Sequence, residues 1–218
     1  MCGNGTGSIS FNCDGGNCGR RNARYESDWE DDPCEEGPVR LSLTVRDGRV
    51  TRLRTYVGGR WRAGAGGTDL GTVSAVEAAR WLLALARSGA DQAAEQAVLA
   101  VALADSVNAW PDLVRLARDS SVPLRVRNQA VFWLGLAAGE AATRDLAELV
   151  GDDAVDREVR EHAVFALSQQ PREVGVPALI RIARTNRDPD VRRKAFFWLG
   201  QSRDPRALAL FEEVLSRP

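Results

Sequence analysis

One histidine and four cysteines are the side chains of this 218-residue chain best suited to nucleophilic, acid–base or metal chemistry. His162 stands alone, which excludes any site needing two imidazoles. Its neighbour Glu161 is adjacent in sequence and on a helix points elsewhere, and no nucleophile recurs beside the pair. His162 is therefore read as a solvated histidine on a helix face, not as a catalytic base or metal ligand. The carboxylate pairs Asp31-Asp32, Glu35-Glu36 and Asp152-Asp153 lie beside Pro or Gly and read as solvated loops, not as acid–base pairs. Asp28, Glu30, Asp31 and Asp32 offer oxygen ligands of the kind calcium takes, but without the EF-hand spacing. Gly58-Gly59 and the run from Gly64 to Gly67 lack the spacing of a phosphate-cradling loop and any following Lys, so they read as linker. No cofactor, metal or catalytic constellation is expected, and the chain is read as no enzyme.

Cys2, Cys13, Cys18 and Cys34 all fall within a Gly-, Asn- and Asp-rich stretch that is poor in apolar residues. Such a segment cannot offset its ordering entropy by burial, and covalent stapling is the usual remedy. Two disulfides are expected, Cys2–Cys34 tying the starts of two strands and Cys13–Cys18 closing a small loop. Four thiolates on zinc is the rival, but the ten, four and fifteen intervening residues are not two C-x2-C knuckles. Reduced thiols are the remaining alternative. Disulfides place the protein in an oxidising compartment, periplasmic or secreted, and then require a leader removed before Met1. A lipid anchor at Cys2 would leave an odd number of thiols, and a cytoplasmic location goes with the reduced reading. Asn4-Gly5-Thr6 is a sequon that matters only in a eukaryotic secretory route.

The elements that must position these side chains are of two kinds. Twenty-nine basic residues against thirty acidic ones leave a net charge of -1, so no nucleic-acid footprint or polybasic membrane patch is present, and no apolar run is long enough to span a bilayer. Val39 to Val45 alternates apolar and polar residues, as does the run holding Thr51, Leu53, Thr55 and Val57. Asp47-Gly48 between them suits a type I′ turn, so a hairpin is predicted, with Ser8 to Phe11 as a third strand. Residues 1–62 are read as a Cys/Gly-rich β lobe, 63–71 as linker and 72–218 as a helical array.

That array is a repeat. Trp81–Arg87, Asp112–Arg118, Asp145–Gly151, Ala178–Arg184 and Ala209–Leu215 align with starts 31, 33, 33 and 31 residues apart. A second series, Ala93–Ala102, Val126–Gly135, Val159–Ser168 and Val191–Gly200, interleaves at 33, 33 and 32. Helices this short, each apolar on one side, must bury that side against the next unit. Gly135, Gly151 and Gly200 are expected at helix ends, and Pro111, Pro123, Pro171, Pro177, Pro189 and Pro205 at starts and loops.

The D-x-x-V-R-x-x-A-x-x-x-L pattern at Asp156, Val159, Arg160, Ala163 and Leu167 resembles HEAT repeats, including the short bacterial kind found in phycobilin-lyase-like proteins. The resemblance covers residues 72–218. It implies a mainly α fold, a right-handed α-α solenoid of about four helix pairs plus a terminal helix, with the disulfide-stapled antiparallel β lobe at its N-terminus. It also implies a core of the Val, Ala and Leu positions and an Arg/Asp ladder of Arg127, Arg160 and Arg192 with Asp156 and Asp190. The chain is similar to secreted bacterial HEAT-repeat proteins of unassigned role. Ala93 and Ala94 in the first unit depart from the pattern, as a terminal cap would.

At the seventh place of each second-series helix, where HEAT repeats commonly carry a polar residue, stand Leu99, Phe132, Phe165 and Phe197. Trp133 and Trp198 adjoin them, flanked by Asn128, Gln129, Glu161, His162, Arg193 and Lys194. Two readings stay open: an exposed aromatic strip that binds a protein or peptide, or rings turned into the core. The function expected is a non-enzymatic interaction scaffold binding a protein or peptide partner on its inner face. The alternatives are an enzyme subunit of the phycobilin-lyase-like class and a structural envelope protein; neither a nucleic acid nor an integral membrane segment is expected.

Overall fold

The computed structural model describes residues 39–57, 68–89, 92–104, 107–136 and 140–216. The four cysteines, the Ser8–Phe11 strand, the Asp28–Asp32 cluster, the Glu35-Glu36 pair and residues 58–67 of the glycine-rich linker lie outside these described residues. Contacts divide the chain into two units, residues 1–40 with 56–68 and residues 41–55 with 69–218. The first contributes only strand ends and Thr68 to the described residues.

The hairpin pairs β1 (Val39–Arg46) with β2 (Arg49–Val57) in a two-stranded antiparallel sheet. Asp47 at φ 51° and Gly48 at φ 74° give the two left-handed residues that the type I′ turn needs. A lone hairpin is marginal in water. This one buries a face: Leu53 is wholly enclosed in the apolar cluster that the helices form, with Leu41, Leu43 and Val50 packed against it.

Nine helices follow among the described residues. The first series is α1 (Ala75–Ser88), α3 (Trp110–Arg118), α5 (Glu140–Gly151), α7 (Arg172–Thr185) and α9 (Pro205–Leu215); the second is α2 (Gln92–Ala102), α4 (Leu124–Leu136), α6 (Arg157–Ser168) and α8 (Pro189–Ser202). Within each unit the two helices pack together. Between units α2 packs on α4, α4 on α6 and α6 on α8, while α5 packs on α7 and α7 on α9. This is the stacking order of an α-solenoid, in which each unit supplies the apolar surface that its neighbour needs. Leu116, Leu134, Leu146, Leu149, Leu167, Leu179 and Leu199 are almost wholly buried along it.

Local chemistry sets the starts. At α1 the Ser74 hydroxyl accepts from the Glu77 N–H at 3.2 Å while Glu77 reaches back to Ser74, a reciprocal capping box. Asp188 accepts from the Asp190 N–H at 2.9 Å, and proline opens α3, α8 and α9. Three breakers fall differently from the sequence expectation. Gly135 and Gly200 lie inside α4 and α8, just before their ends, and only Gly151 closes a helix. Gly135 is required by packing: a Cβ there would stand 2.7 Å from the Ala166 Cβ of α6. Pro177 lies within α7, where its ring is accommodated on an exposed position of the helix surface.

Asp204 caps α9. Its carboxylate is 8% exposed and receives Arg206 Nε at 2.9 Å and Arg206 Nη2 at 2.8 Å, a bidentate pair, as well as the Arg206 N–H at 2.9 Å. The Arg206 side chain, then its backbone N–H, hold the Asp204 carboxyl down at about 2, below its ordinary 3.8. A depressed carboxyl stabilises the fold fully above pH 3.8 and loses that contribution as pH falls toward 2. Arg206→Ala should therefore raise the Asp204 titration midpoint toward the ordinary carboxylate range, read by carboxyl-carbon NMR; an unmoved midpoint would contradict the assignment.

Candidate partner-binding face

Along α4, α6 and α8 the core side is filled by the Val, Ala and Leu of the repeat: Val126, Ala130 and Leu134, then Val159, Ala163 and Leu167, then Val191, Ala195 and Leu199, none more than 1% exposed. With that register fixed, the seventh position turns away from the core. Phe132 is 41% and Phe197 54% exposed, while Phe165 and Leu99 are half-buried. None of the three phenylalanines is a core residue.

The tryptophans are half-buried and support the rings. Trp133 meets Phe132 edge to face with centroids 5.2 Å apart, and Trp198 meets Phe197 in the same way at 5.0 Å. Trp198 also stacks at a tilt on Phe165 of the preceding unit, 5.0 Å away, so the aromatic contact crosses a unit boundary. These are the offset and T-shaped geometries that aromatic quadrupoles favour. The indole nitrogens of both tryptophans are enclosed and have no hydrogen-bond partner among the described residues.

The polar residues beside the rings are tied mostly to one another. Asn128 donates to Glu158 at 3.3 Å, Lys194 pairs with Glu161 at 3.6 Å, and Arg157 lies 3.9 Å from Glu161 and 2.7 Å from Asp190. Arg193 pairs with the same Asp190, and Gln129 is half-buried on α4. His162 is exposed, yet desolvation by its surroundings pulls its pKa below the ordinary 6.5, with Lys194 adding to the fall and Glu158 and Glu161 opposing it. His162 lines neither of two clefts, one of about 420 Å³ beside Asp153 and Arg187 and one of about 240 Å³ that Trp198 lines together with Gln170 and Arg172. The face thus offers aromatic area between internally neutralised charges.

Beneath it runs the ladder, and here the sequence reading needs correction. Arg127, 6% exposed, pairs with Asp156 of the next unit, as expected. Arg160, 8% exposed, reaches Asp188 at 3.0 Å and the Val155 carbonyl at 3.1 Å. Its acidic partner is not Asp190, which serves Arg157 and Arg193. The period contained this answer: Asp188 stands three residues before Val191, as Asp156 does before Val159, whereas Asp190 breaks the register. Among the described residues Arg192 bonds to the Asn186 and Arg187 carbonyls and to no carboxylate. Sequence reasoning also missed Glu158 and Arg157 as partners on this face, and treated Asp152 and Asp153 as merely solvated. Asp152 accepts from Arg118 at 2.6 Å, and Asp153 lies 3.6 Å from Arg160 and 3.7 Å from Arg187. Asp156→Ala should cost about 1 kcal/mol in urea unfolding, since it leaves the enclosed Arg127 without its carboxylate while Asp156 itself is half exposed.

Residues 152–218, spanning α6 to α9, match the family model for HEAT repeats. No curated protein matches the chain.

Proposed function

We propose, from the premise that this is a HEAT-repeat protein, that it is a non-enzymatic scaffold whose inner face binds a protein or peptide along the strip of Phe132, Phe165 and Phe197. The observation that carries this reading is the exposure of Phe132 and Phe197 above tryptophans that hold their rings in place. Rings fixed in this way lose little freedom on binding, which is why such residues dominate interface energetics. The enclosed solenoid core does not need them. Among the described residues no helix is long and apolar enough to cross a membrane. The clustered cysteines support a periplasmic or secreted protein with a disulfide-stapled β lobe, and the repeat supports a right-handed superhelix.

A catalytic reading draws less support, because the histidine lines neither cleft, Glu161 beside it is committed to ion pairs and Glu158 accepts from Asn128. The test is capture of partners from native extract by the wild-type chain and by the Phe132→Ala, Phe165→Ala, Phe197→Ala triple variant, followed by titration of the recovered partner in purified form. Each ring removal should weaken binding at least tenfold, on the order of 1.4 kcal/mol. An unchanged affinity in the triple variant, with its thermal melt intact, would overturn the proposal.

A further inference from the structure

A second column runs beside the phenylalanines of α4, α6 and α8. Three residues before each ring, on the same side of its helix, stand Gln129, His162 and Lys194. All three side chains can donate a hydrogen bond. Gln129 and His162 make no side-chain hydrogen bond among the described residues, and Lys194 has only its 3.6 Å pairing with Glu161 there. Both α4 and α6 have second-series helices packed on either side of them, so the uncovered area of Phe132 and Phe165 belongs to the interior of the array.

The step between units selects the shape of a ligand. Phe165 and Phe197 each have their ring centre 5.0 Å from that of Trp198, so the two rings are at most about 10 Å apart. Packed helix axes lie about 8 to 10 Å apart, which gives the same step. A β-strand repeats a face every ~6.7 Å and falls out of step by the second unit. An α-helix repeats a position after seven residues, ~10.5 Å, and its carbonyls are bonded within it. A polyproline II segment has three residues per turn and rises about 3.1 Å per residue, so one side returns every ~9.3 Å. It has no internal hydrogen bonds, which leaves its carbonyls free for a column of donors. The charges of the face name no acidic or basic ligand. Arg125 lies 3.8 Å from Glu95, Lys194 and Arg157 share Glu161, and Arg193 and Arg157 share Asp190, with Glu158 as a further anion. Cations and anions are thus equal in number, and their complement is an uncharged segment.

We propose, resting on the reading of the phenylalanine strip as the binding face, that its ligand is an uncharged proline-rich segment of a partner protein in the polyproline II conformation, with proline at every third residue. One proline ring would lie against each phenylalanine, and one backbone carbonyl per turn would accept from Gln129, His162 or Lys194. Such a segment has its conformation set before it binds and loses little freedom on docking against aromatic rings. Trp133 and Trp198 hold the rings against which it would lie.

The probe is a synthetic peptide of Pro-Gln-Ala repeats titrated into the isotopically labelled full chain. The expected result is saturable NMR shifts at Phe132, Phe165 and Phe197 and at the Gln129 side-chain amide. Phe165→Ala should weaken binding roughly tenfold and Gln129→Ala about fivefold. A peptide of the same residues with its prolines at alternate places keeps the conformation but loses the step, and should bind at least fivefold more weakly. That comparison leaves the protein untouched, so a variant that fails to fold would not spoil the measurement. Equal binding of the two peptides, stronger binding of an uncharged helical peptide, or no shift at the rings up to millimolar peptide would each overturn the proposal. So would ring shifts that arise on concentrating the chain alone, which make a second copy the occupant. A repeat peptide that does not compete with a partner lost by the triple phenylalanine variant overturns this inference and leaves the strip standing; a partner held equally well by that variant removes both.

Discussion

Leu167→Ala lowers the unfolding free energy of this protein by about 2 to 5 kcal/mol, the range for a fully enclosed leucine whose cavity cannot collapse. Leu167 is 0% exposed on α6, the helix that packs against α4 on one side, α8 on the other and α5 and α7 besides. A cavity there weakens several neighbour contacts at once. In a stacked array, stability is a sum of unit and junction contributions, so loss at a central helix reaches units on both sides. Leu208→Ala on α9 is the control: that side chain is 59% exposed and should change stability by less than about 0.5 kcal/mol. Urea unfolding of both variants checks the ranking, and similar losses would mean that the core is not where the structure places it. Whether Leu167→Ala unfolds in one transition or two also reports how strongly the units are coupled.

Gly135→Val should destabilise by about 3 kcal/mol, the upper end of the overpacking range. The first added carbon would lie 2.7 Å from the Ala166 Cβ and 3.1 Å from its backbone Cα, so α4 and α6 must part. The same junction holds the buried hydrogen bond from Gln170 Nε2 to the Gly135 carbonyl at 2.6 Å, which parting would stretch. Ala166→Gly in the same chain removes the nearer of the two contacts. It should recover part of the loss despite the helix propensity forfeited by glycine, and a double-mutant cycle measures the coupling. At Gly200, where the nearest atom to such a Cβ is 3.9 Å away, the equivalent change should cost much less. Equal costs at the two glycines would remove the close-approach explanation.

The different fates of these two glycines illustrate what could be read in advance. Both occupy the last place of the aligned second-series segment and both suggested helix ends. Neither ends its helix, because periodicity locates a unit to within a few residues but does not say which backbone comes nearest to it. The ladder behaves in the opposite way. Asp188 was available from the spacing that had already marked Asp156, and choosing Asp190 meant leaving the register. For the phenylalanines, the alternation of Val, Ala and Leu fixed which side of α4, α6 and α8 is core. The remaining arc, where residue 132 or 197 projects, is decided by how far the neighbouring helices wrap around it.

A period near 33, two amphipathic segments in each, and an Asp-Gly pair between alternating runs were enough to specify helix pairs in sequence and a hairpin before them. These features are local, set by hydrogen bonding and by the need of each short helix for a partner. What the folded chain alone decided is which side chains remain uncovered: Phe132 and Phe197 above their tryptophans, with Phe165 half-buried. Exposure depends on everything that packs nearby, which the spacing of a repeated motif does not by itself specify.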